Sequence, residues 1–276
     1  MQITDAQVHI WGPDTPRYPW PADGNPPHKP EPFTGDDLVR EMDEAGVDRA
    51  LVVPPTFAGG HNRFSLDAAH RYPDRIAVMG VLNLQAPDAP ERLATWKQQP
   101  GMVGIRVNFR KRVPRELLEQ GRLDWFLAGA QEHGIPISFL ARHVDLHLIR
   151  AAATRYPQLK LSLDHLGLTE GKGTGAEAFA DFDEVLKLGP LPNVTVKVSA
   201  LPAYAADPYP YPQLHPFVRQ VYDAFGPRRM MWGTDLTRLP CTYRQAVTMF
   251  TEEIPWLTAD DKEWIMGRSL CEWVGW

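Results

Sequence analysis

The chain has 276 residues, of which 43% are hydrophobic, and a formal net charge of -5. This length suits one large hydrophobic core, so we predict a single domain over residues 1–276. The negative charge argues against nucleic acid or an anionic membrane as a partner, and no apolar run approaches the roughly 18 residues of a membrane-spanning helix. The N-terminus lacks a secretion-signal pattern, and the two cysteines, Cys241 and Cys271, form no metal or disulfide spacing, so we expect a cytoplasmic protein.

Apolar, strand-like runs alternate with amphipathic, helix-like stretches along the chain. In chain order the runs are QITDAQVHI (2–10), RALVVPP (49–55), IAVMGVLNL (76–84), MVGIRVNF (102–109), IPISFLA (135–141), LKLSLDH (159–165), VTVKVS (194–199) and RMMWGTD (229–235). Strands that alternate with helices pair in parallel, because parallel neighbours need long crossover connections. The predicted fold is therefore an α/β single (β/α)8 TIM barrel. A doubly wound open sheet is the alternative, but no G-x-G-x-x-G follows a strand, which removes its commonest cofactor use.

Several of the helical stretches carry recognisable ends. Thr34 is a predicted N-cap, and Gly46 ends the helix that follows it. A second amphipathic stretch ends in the same way at Gly134. An extra C-terminal helix, from about Thr258 to Trp273, is predicted after the eighth strand.

Two proline-rich segments, residues 11–33 and 201–217, interrupt this alternation. Proline cannot continue a helix or a central strand, so both segments are predicted to be loops. Long loops in a compact domain are more often functional than ordinary connectors. Because both segments also carry aromatic residues, including Trp11 and Tyr204, we expect them to form the rim of a site and to exclude water from it.

Polar side chains occupy the C-terminal ends of several predicted strands, where TIM barrels carry their catalytic groups. In VTVKVS the valines alternate with Lys197 and Ser199, so these two side chains are predicted to point into the barrel. Arg106 and Asn108 alternate with apolar residues in MVGIRVNF in the same way. Charged side chains rarely face a core unless they are paired or functional. We therefore predict a site at the barrel mouth formed by Gln7, His9, Arg106, Asn108, His165, Lys197, Ser199 and Asp235.

Taken singly, these residues also have structural interpretations. Asp235 could cap the helix that follows it, His165 could be a hydrogen-bonded core histidine, and Arg106 could neutralise an acidic neighbour. Asp164 has the opposite strand parity to His165, so a structural role is predicted for it. The histidines predicted to be ordinary loop or helix residues are His28, His61, His70, His133, His147 and His215.

An ordered set of motifs extends over nearly the whole chain. The motifs are DAQVHIW, GVDRALVV, GVLNLQAPDAPERL, PGMVGIRVNFR, LKLSLDHLG, NVTVKVS and FGPRRMMWGTD. In this order they resemble the amidohydrolase superfamily, and more narrowly its branch of sugar-acid and pyrone lactonases, such as fuconolactonase and pyrone dicarboxylate lactonase. The resemblance implies a TIM-barrel hydrolase that opens a lactone.

The resemblance also implies a set of possible metal ligands, of which His9, His165 and Asp235 match the family pattern. Gln7 replaces the first histidine of the family's D-x-H-x-H motif, and Leu140 stands about where a strand-five histidine is found in metal-dependent members. An amide oxygen is a weak ligand for zinc, and leucine offers none. We therefore expect that no cofactor is required, or that a divalent metal such as zinc is weakly held.

Lactone hydrolysis requires an activated water and a stabilised oxyanion. The predicted catalytic residues are Asp235 as general base, with His165, His9 and Lys197 as donors that polarise the carbonyl. The predicted substrate-binding residues are Arg106, Gln7, Trp11, Asn108, Ser199 and Tyr204. Asp5 is expected to orient His9, and the cations and aromatic residues indicate a small anionic ring as the substrate.

Two other classes of function are consistent with the same residues. One is a metal-dependent decarboxylase of an aromatic acid, which would need a tightly held metal ion. The other is a non-catalytic protein that binds a small molecule on the same scaffold. Asp235 favours an enzyme, because a pure binder has little use for a base.

Overall fold

A computed structural model describes residues 1–20, 27–58, 61–169 and 173–276. Within these ranges eight parallel strands pair with their neighbours in chain order, from the first to the eighth. The strands are β1 (Thr4–Val8), β2 (Arg49–Val52), β3 (Ile76–Gly80), β4 (Met102–Asn108), β5 (Ile137–Leu140), β6 (Leu161–Leu163), β7 (Val194–Ser199) and β8 (Met230–Gly233). The eighth strand returns to the first, where the Asp235 amide donates to the Gln7 carbonyl oxygen at 2.8 Å. This is the predicted (β/α)8 TIM barrel.

The helices lie between the strands and at the C-terminus. They are α1 (Gly35–Ala45), α2 (Arg63–Arg71), α3 (Ala89–Ala94), α4 (Arg112–Glu119), α5 (Asp124–Glu132), α6 (Leu146–Arg155), α7 (Asp183–Leu186), α8 (His215–Phe225), α9 (Tyr243–Thr251), α10 (Ala259–Glu263) and α11 (Ser269–Val274). Thr34 caps α1 by accepting from the Asp37 amide, and Gly46 ends it with a left-handed φ of 76°. The predicted C-terminal helix is present as α10 and α11, joined by a π-helical segment, Trp264–Arg268. Within the described ranges, no helix is long and apolar enough to cross a membrane.

The barrel interior has an apolar part and a polar part. Leu51, Met79 and Met231 of β2, β3 and β8 pack with Leu270 and Trp273 of α11 in a cluster separate from the one beneath the helices. By contrast, β4 to β7 turn polar side chains inward, and their hydrogen bonds and ion pairs hold the C-terminal end of the barrel together. These buried polar side chains are Arg106, Ser138, Ser162, Lys197 and Ser199, of which Ser162 has no hydrogen-bond partner for its hydroxyl in the described structure.

The first strand departs from the regular alternation that its sequence predicts. The pairing register of β1 with β2 shifts between Asp5 and Val8, which is typical of a β-bulge. Asp5 consequently accepts from the Tyr243 hydroxyl of α9 at 2.9 Å, whereas Gln7 accepts from Lys197 inside the barrel. The prediction that Asp5 orients His9 is therefore wrong, because Asp5 faces the junction between β1 and β8.

Asp5 stabilises that junction through four hydrogen bonds. Its carboxylate accepts from the backbone amides of Gln7 and Thr234, both at 2.9 Å, from the Thr234 hydroxyl at 2.5 Å and from Tyr243. The side chain is fully buried. These bonds connect the first strand, the last strand and α9.

We expect Asp5→Ala to lower the free energy of unfolding by about 3–5 kcal/mol, because a buried donor left without an acceptor costs about 1–3 kcal/mol. Tyr243→Phe removes only one of the four bonds and is expected to cost about 1 kcal/mol. Urea unfolding at neutral pH measures both changes. Equal effects of the two substitutions would show that the carboxylate does not hold the junction.

Candidate active site

A cavity of about 290 Å3 lies at the C-terminal ends of the strands. Five of the predicted site residues line it, and they come from β4 and from the segments that follow β1, β6 and β8: His9, Arg106, Asn108, His165 and Asp235. Leu140 also lines the cavity, at the end of β5. The residues that the sequence predicts at four separate strand ends therefore lie together at one end of the barrel.

Asp235 lies at the wall of this cavity with one carboxylate oxygen unpartnered. Its backbone has a left-handed φ of 54°, and its side chain makes no capping hydrogen bond to the 3-10 turn that follows. Among the described residues, its Oδ1 has no hydrogen-bond partner, and His9 Nε2 lies 3.5 Å away. Burial raises the pKa of Asp235 to about 7; Arg106 opposes this rise, and Asp5 and Asp164 add to it. This carboxyl group changes its charge near neutral pH.

His9 is held as a neutral imidazole. Its Nδ1 lies 2.6 Å from the Val53 carbonyl oxygen, so Nδ1 carries the proton and donates it to that oxygen. Burial lowers the pKa of His9 well below its usual range, and the charges of Arg106 and His28 lower it further. The remaining ring nitrogen, Nε2, therefore presents a lone pair towards Asp235.

His165 reaches the cavity through an unusual backbone conformation. Both His165 and Leu166 have a left-handed φ of 51°, which turns the chain directly after β6. The Nδ1 atom of His165 lies 2.9 Å from the Ser199 hydroxyl. Burial lowers the pKa of His165 to about 3, although Asp164 opposes the decrease, so the ring is neutral.

Asp164 faces the barrel interior, contrary to the prediction from strand parity. It accepts from Arg106 Nε at 3.0 Å, from Lys197 Nζ at 2.9 Å and from the Ser138 hydroxyl at 2.5 Å. Burial raises the pKa of Asp164, but Lys197 and Arg106 together hold it below its ordinary value. The parity argument failed because Asp164 follows the inward-facing Ser162 by two residues and so keeps its direction, while the left-handed turn at His165 brings the histidine to the same interior.

The other five predicted residues lie behind the cavity lining. Lys197 is 0% exposed and donates to Asp164 and to Gln7, so it does not reach the cavity. Trp11 packs against Phe33 and Phe57. The five residues that are buried without lining the cavity are Gln7, Trp11, Lys197, Ser199 and Tyr204. Their structural contribution is to support the residues that do line it.

Sequence reasoning missed four titratable residues of the cavity lining, three of which are cationic: His28, Arg110, Lys111 and Arg238. Arg110 continues the spacing of two set by Arg106 and Asn108, a signal that could have identified it. His28 comes from the first proline-rich segment, of which residues 21–26 lie outside the described ranges. It accepts from Arg238 Nε at 2.9 Å, so it is not an ordinary loop histidine.

The second proline-rich segment contributes no cavity-lining residue within the described ranges. Tyr204 is buried beneath the mouth, with its hydroxyl 3.4 Å from the Leu168 carbonyl oxygen. Tyr209 instead bonds Thr248 and Glu253. The prediction that this segment forms the rim of the cavity is therefore not supported by these contacts.

Comparison with known proteins identifies the family. The family model for amidohydrolases matches residues 4–268. The chain belongs to the amidohydrolase family. It is 30% identical over 206 residues to L-fucono-1,5-lactonase of Burkholderia ambifaria, covering 74% of this chain and 69% of the relative. It is 26% identical over 235 residues to 4-sulfomuconolactone hydrolase of Hydrogenophaga intermedia, covering 84% and 73%.

Solved structures share the fold of this amidohydrolase. A probable 2-pyrone-4,6-dicarboxylic acid hydrolase from Acinetobacter baumannii, with citric acid bound, has a TM-score of 0.82 at 21% identity and covers 100% of both chains. An amidohydrolase from Burkholderia multivorans with bound zinc has a TM-score of 0.81 at 21% identity and covers 100% of this chain and 99% of the other. Together with the family match and the lactone-hydrolase relatives, these findings make the protein a hydrolase.

The zinc in that neighbour raises the question of whether this amidohydrolase could hold a metal ion. In the ranges that the structure describes, no three His, Cys, Asp or Glu side chains are grouped so that they could share one. His9 and Asp235 approach each other, but an amide at Gln7 and an aliphatic side chain at Leu140 stand where the family resemblance implies imidazoles. The donors present do not fit a zinc ion.

Proposed function

We propose that this amidohydrolase hydrolyses the lactone ring of a small anionic molecule, with Asp235 as the general base. The observation that carries the proposal is the unpartnered Oδ1 of Asp235, buried at the wall of a cavity lined by cations. A base needs a free lone pair and a pKa near the working pH. Asp235 has both, since burial raises its pKa to about 7.

In the proposed reaction, Asp235 takes a proton from a water molecule while the water oxygen attacks the lactone carbonyl. The neutral His9 favours this transfer, because its Nε2 atom, 3.5 Å from Oδ1, carries no proton to donate to the carboxylate and so does not stabilise its charge. The tetrahedral intermediate then collapses as the ring C–O bond breaks. Asp235 returns the proton to the leaving alkoxide, which gives an open-chain hydroxy acid.

The developing oxyanion needs fixed hydrogen-bond donors. Arg106 lines the cavity while its Nε is fixed on Asp164. His165 lines it as well, and when the Ser199 hydroxyl donates to Nδ1, the other ring nitrogen carries a proton that faces away from Ser199. We assign carbonyl polarisation to these two side chains, whereas Lys197 acts only through the residues that it positions.

The remaining cations favour an anionic substrate. Arg110, Lys111 and Arg238 line the cavity together with Arg106, and Asp235 is the carboxylate among the described lining residues. The Nε of Arg110 is buried without a hydrogen-bond partner in the described structure, while its Nη2 donates to the Leu168 carbonyl oxygen at 2.6 Å. A carboxylate or sulfonate group would satisfy that donor. The relative named for 4-sulfomuconolactone supports this choice, since that lactone carries a sulfo group.

The proposal is tested with lactones that carry no, one or two carboxylates. Ring opening is followed by proton release at constant pH, and we expect turnover of the anionic compounds. Arg110→Gln should raise KM for these compounds by roughly ten-fold or more, because a charge-assisted hydrogen bond is worth about 1.5–3 kcal/mol. Arg112→Gln is the matched control, because Arg112 is exposed on α4 and pairs only loosely with Glu116, at 3.5 Å. Absence of turnover on every lactone would contradict the proposed function.

The alternative functions fit the site less well. A metal-dependent decarboxylase needs a firmly bound metal ion, and the donors around Asp235 do not provide the ligands for one. A protein that only binds its ligand does not need an unpartnered, buried carboxylate, which costs free energy in the folded state. Asp235 therefore favours hydrolysis over both alternatives.

A further inference from the structure

Lys197 is a buried cation that the hydrolytic steps do not use. Its ammonium is 0% exposed and donates to Asp164 Oδ1 and to Gln7 Oε1, each at 2.9 Å. It thus connects β7 with β1 and with the turn that follows β6, at the C-terminal end of the barrel interior. Gln7 is the residue that replaces a metal-binding histidine of the family pattern, so the ammonium lies against the position of a missing ligand.

The hydrogen bonds around Gln7 have a fixed direction. An ammonium can only donate, so the carbonyl oxygen of Gln7 must face Lys197 and the amide nitrogen must face the other way. That nitrogen lies 3.5 Å from His9 Nε2. Since His9 Nδ1 donates to the Val53 carbonyl oxygen, Nε2 is the acceptor of this contact. Asp164 holds Lys197, and Lys197 fixes the direction of the Gln7 amide. An N–H group of Gln7 therefore faces the Nε2 lone pair of His9.

We propose that the ammonium of Lys197, which lies behind the cavity lining against Gln7, excludes a divalent metal ion from His9 and Asp235. It does so in two ways. Its positive charge lies within hydrogen-bond distance of the side chain at position 7, where it repels a second cation in a medium of low dielectric. It also orients Gln7 so that an amide hydrogen, rather than an oxygen, faces the His9 lone pair that a metal ion would need.

A single change at position 7 should therefore not restore a metal site. The imidazole introduced by Gln7→His would lie beside the ammonium of Lys197, so a metal ion bound to it would be repelled. Gln7→His combined with Lys197→Met removes this cation. Asp164 then keeps Arg106 and Ser138 as partners, so no buried carboxylate is left unpaired. The introduced imidazole, His9 and Asp235 together give three ligands, as in catalytic zinc sites.

The test measures zinc binding, so it does not depend on the lactone hydrolysis proposed above. The unaltered protein, each single variant and the double variant are freed of metal with a chelator and titrated with zinc by calorimetry. We expect the double variant to bind one zinc ion at least 100-fold more tightly than either single variant. Gln7→His combined with Lys187→Met is the matched control, because Lys187 is an exposed lysine on the helical side of the barrel. It should bind zinc no more tightly than Gln7→His alone.

Two results would overturn the proposal. One is equal zinc affinity of Gln7→His and the double variant. The other is stoichiometric zinc binding by the unaltered protein at micromolar concentration. Thermal unfolding checks that each variant folds.

A second measurement on the unaltered protein covers the case in which Lys197→Met does not fold. Nitrogen NMR of labelled imidazoles, with His9 assigned by the spectrum of His9→Gln, should show the proton on Nδ1 and a lone pair on Nε2. A proton on Nε2 in the neutral ring would reverse the direction of the contacts and refute the role of Lys197.

Discussion

Replacing Asp235 by asparagine is expected to lower the turnover of an anionic lactone by roughly two to four powers of ten, the usual contribution of a positioned base. Asparagine is nearly the same size as aspartate but cannot take the proton of the attacking water. Asp235 Oδ1 has no hydrogen-bond partner within the described structure, so little bonding is lost in the fold. The measurement is kcat on the lactone that the unaltered protein opens fastest.

The same substitution has an expected effect on pH dependence. Because burial raises the pKa of Asp235 to about 7, the active carboxylate forms only as the pH rises through that value. For the unaltered protein, kcat/KM should therefore fall tenfold for each pH unit below about 7 and level off above it. The residual rate of Asp235→Asn should lack this step.

The stability of the variant provides a control, because Asp235→Asn is expected to raise the free energy of unfolding while it lowers turnover. The pKa of Asp235 is higher in the folded chain than its ordinary value of 3.8. Its ionisation therefore lowers the free energy of unfolding as the pH rises from 3.8 to about 7. Asp235→Asn removes that loss. At pH 8 the free energy of unfolding of the variant should therefore exceed that of the unaltered protein by up to roughly 4 kcal/mol, and the variant should unfold at a higher temperature. Near-normal turnover of the variant at every pH would show that Asp235 is only a structural residue.

The fold was predictable because its signal repeats. Each strand-like run is apolar on the face that packs against helices, as in VTVKVS, where Val194, Val196 and Val198 are all buried in the large core cluster. Thr34 likewise caps the start of α1 and Gly46 ends it, through interactions with residues nearby in the sequence. Such features depend on residues close together in the chain, so they can be deduced without coordinates.

The site was predictable only in part, because its exceptions arise from backbone irregularities. The bulge in β1 separates Asp5 from Gln7, although a regular strand would turn both side chains to the same face. The left-handed turn directly after β6 brings His165 to the same interior as Asp164, whereas a regular strand would turn these two neighbours to opposite faces. His28 reaches the cavity from a proline-rich segment whose path has no periodicity to follow. The partners of Lys197 could not be deduced either, since Gln7 in β1 and Asp164 directly after β6 are far away in the sequence.

Asp164 and Asp235 lie at the same end of the barrel, yet their ionisation has opposite consequences for stability. Asp164 pairs with two buried cations, Arg106 and Lys197, which hold its pKa below the ordinary value of 3.8. A lowered pKa means that ionisation stabilises the folded protein above about pH 3.8 and that this contribution is lost as the pH falls through the folded pKa. Asp235 has a raised pKa, so its ionisation destabilises the fold.

Asp164→Asn is therefore expected to lower the free energy of unfolding by about 3–5 kcal/mol at pH 7, because it leaves two buried cations without their anion. Asp223→Asn is the matched control, since Asp223 forms an exposed ion pair with Arg219 on α8 and such pairs contribute at most about 1 kcal/mol. Urea unfolding at pH 7 measures both. Adding Lys197→Met to Asp164→Asn should restore part of the loss, because one of the unpaired cations is then absent. If Asp164→Asn costs no more than Asp223→Asn, the charge pairing of Asp164 does not stabilise the barrel mouth, and the position of Arg106 in the cavity must depend on other contacts.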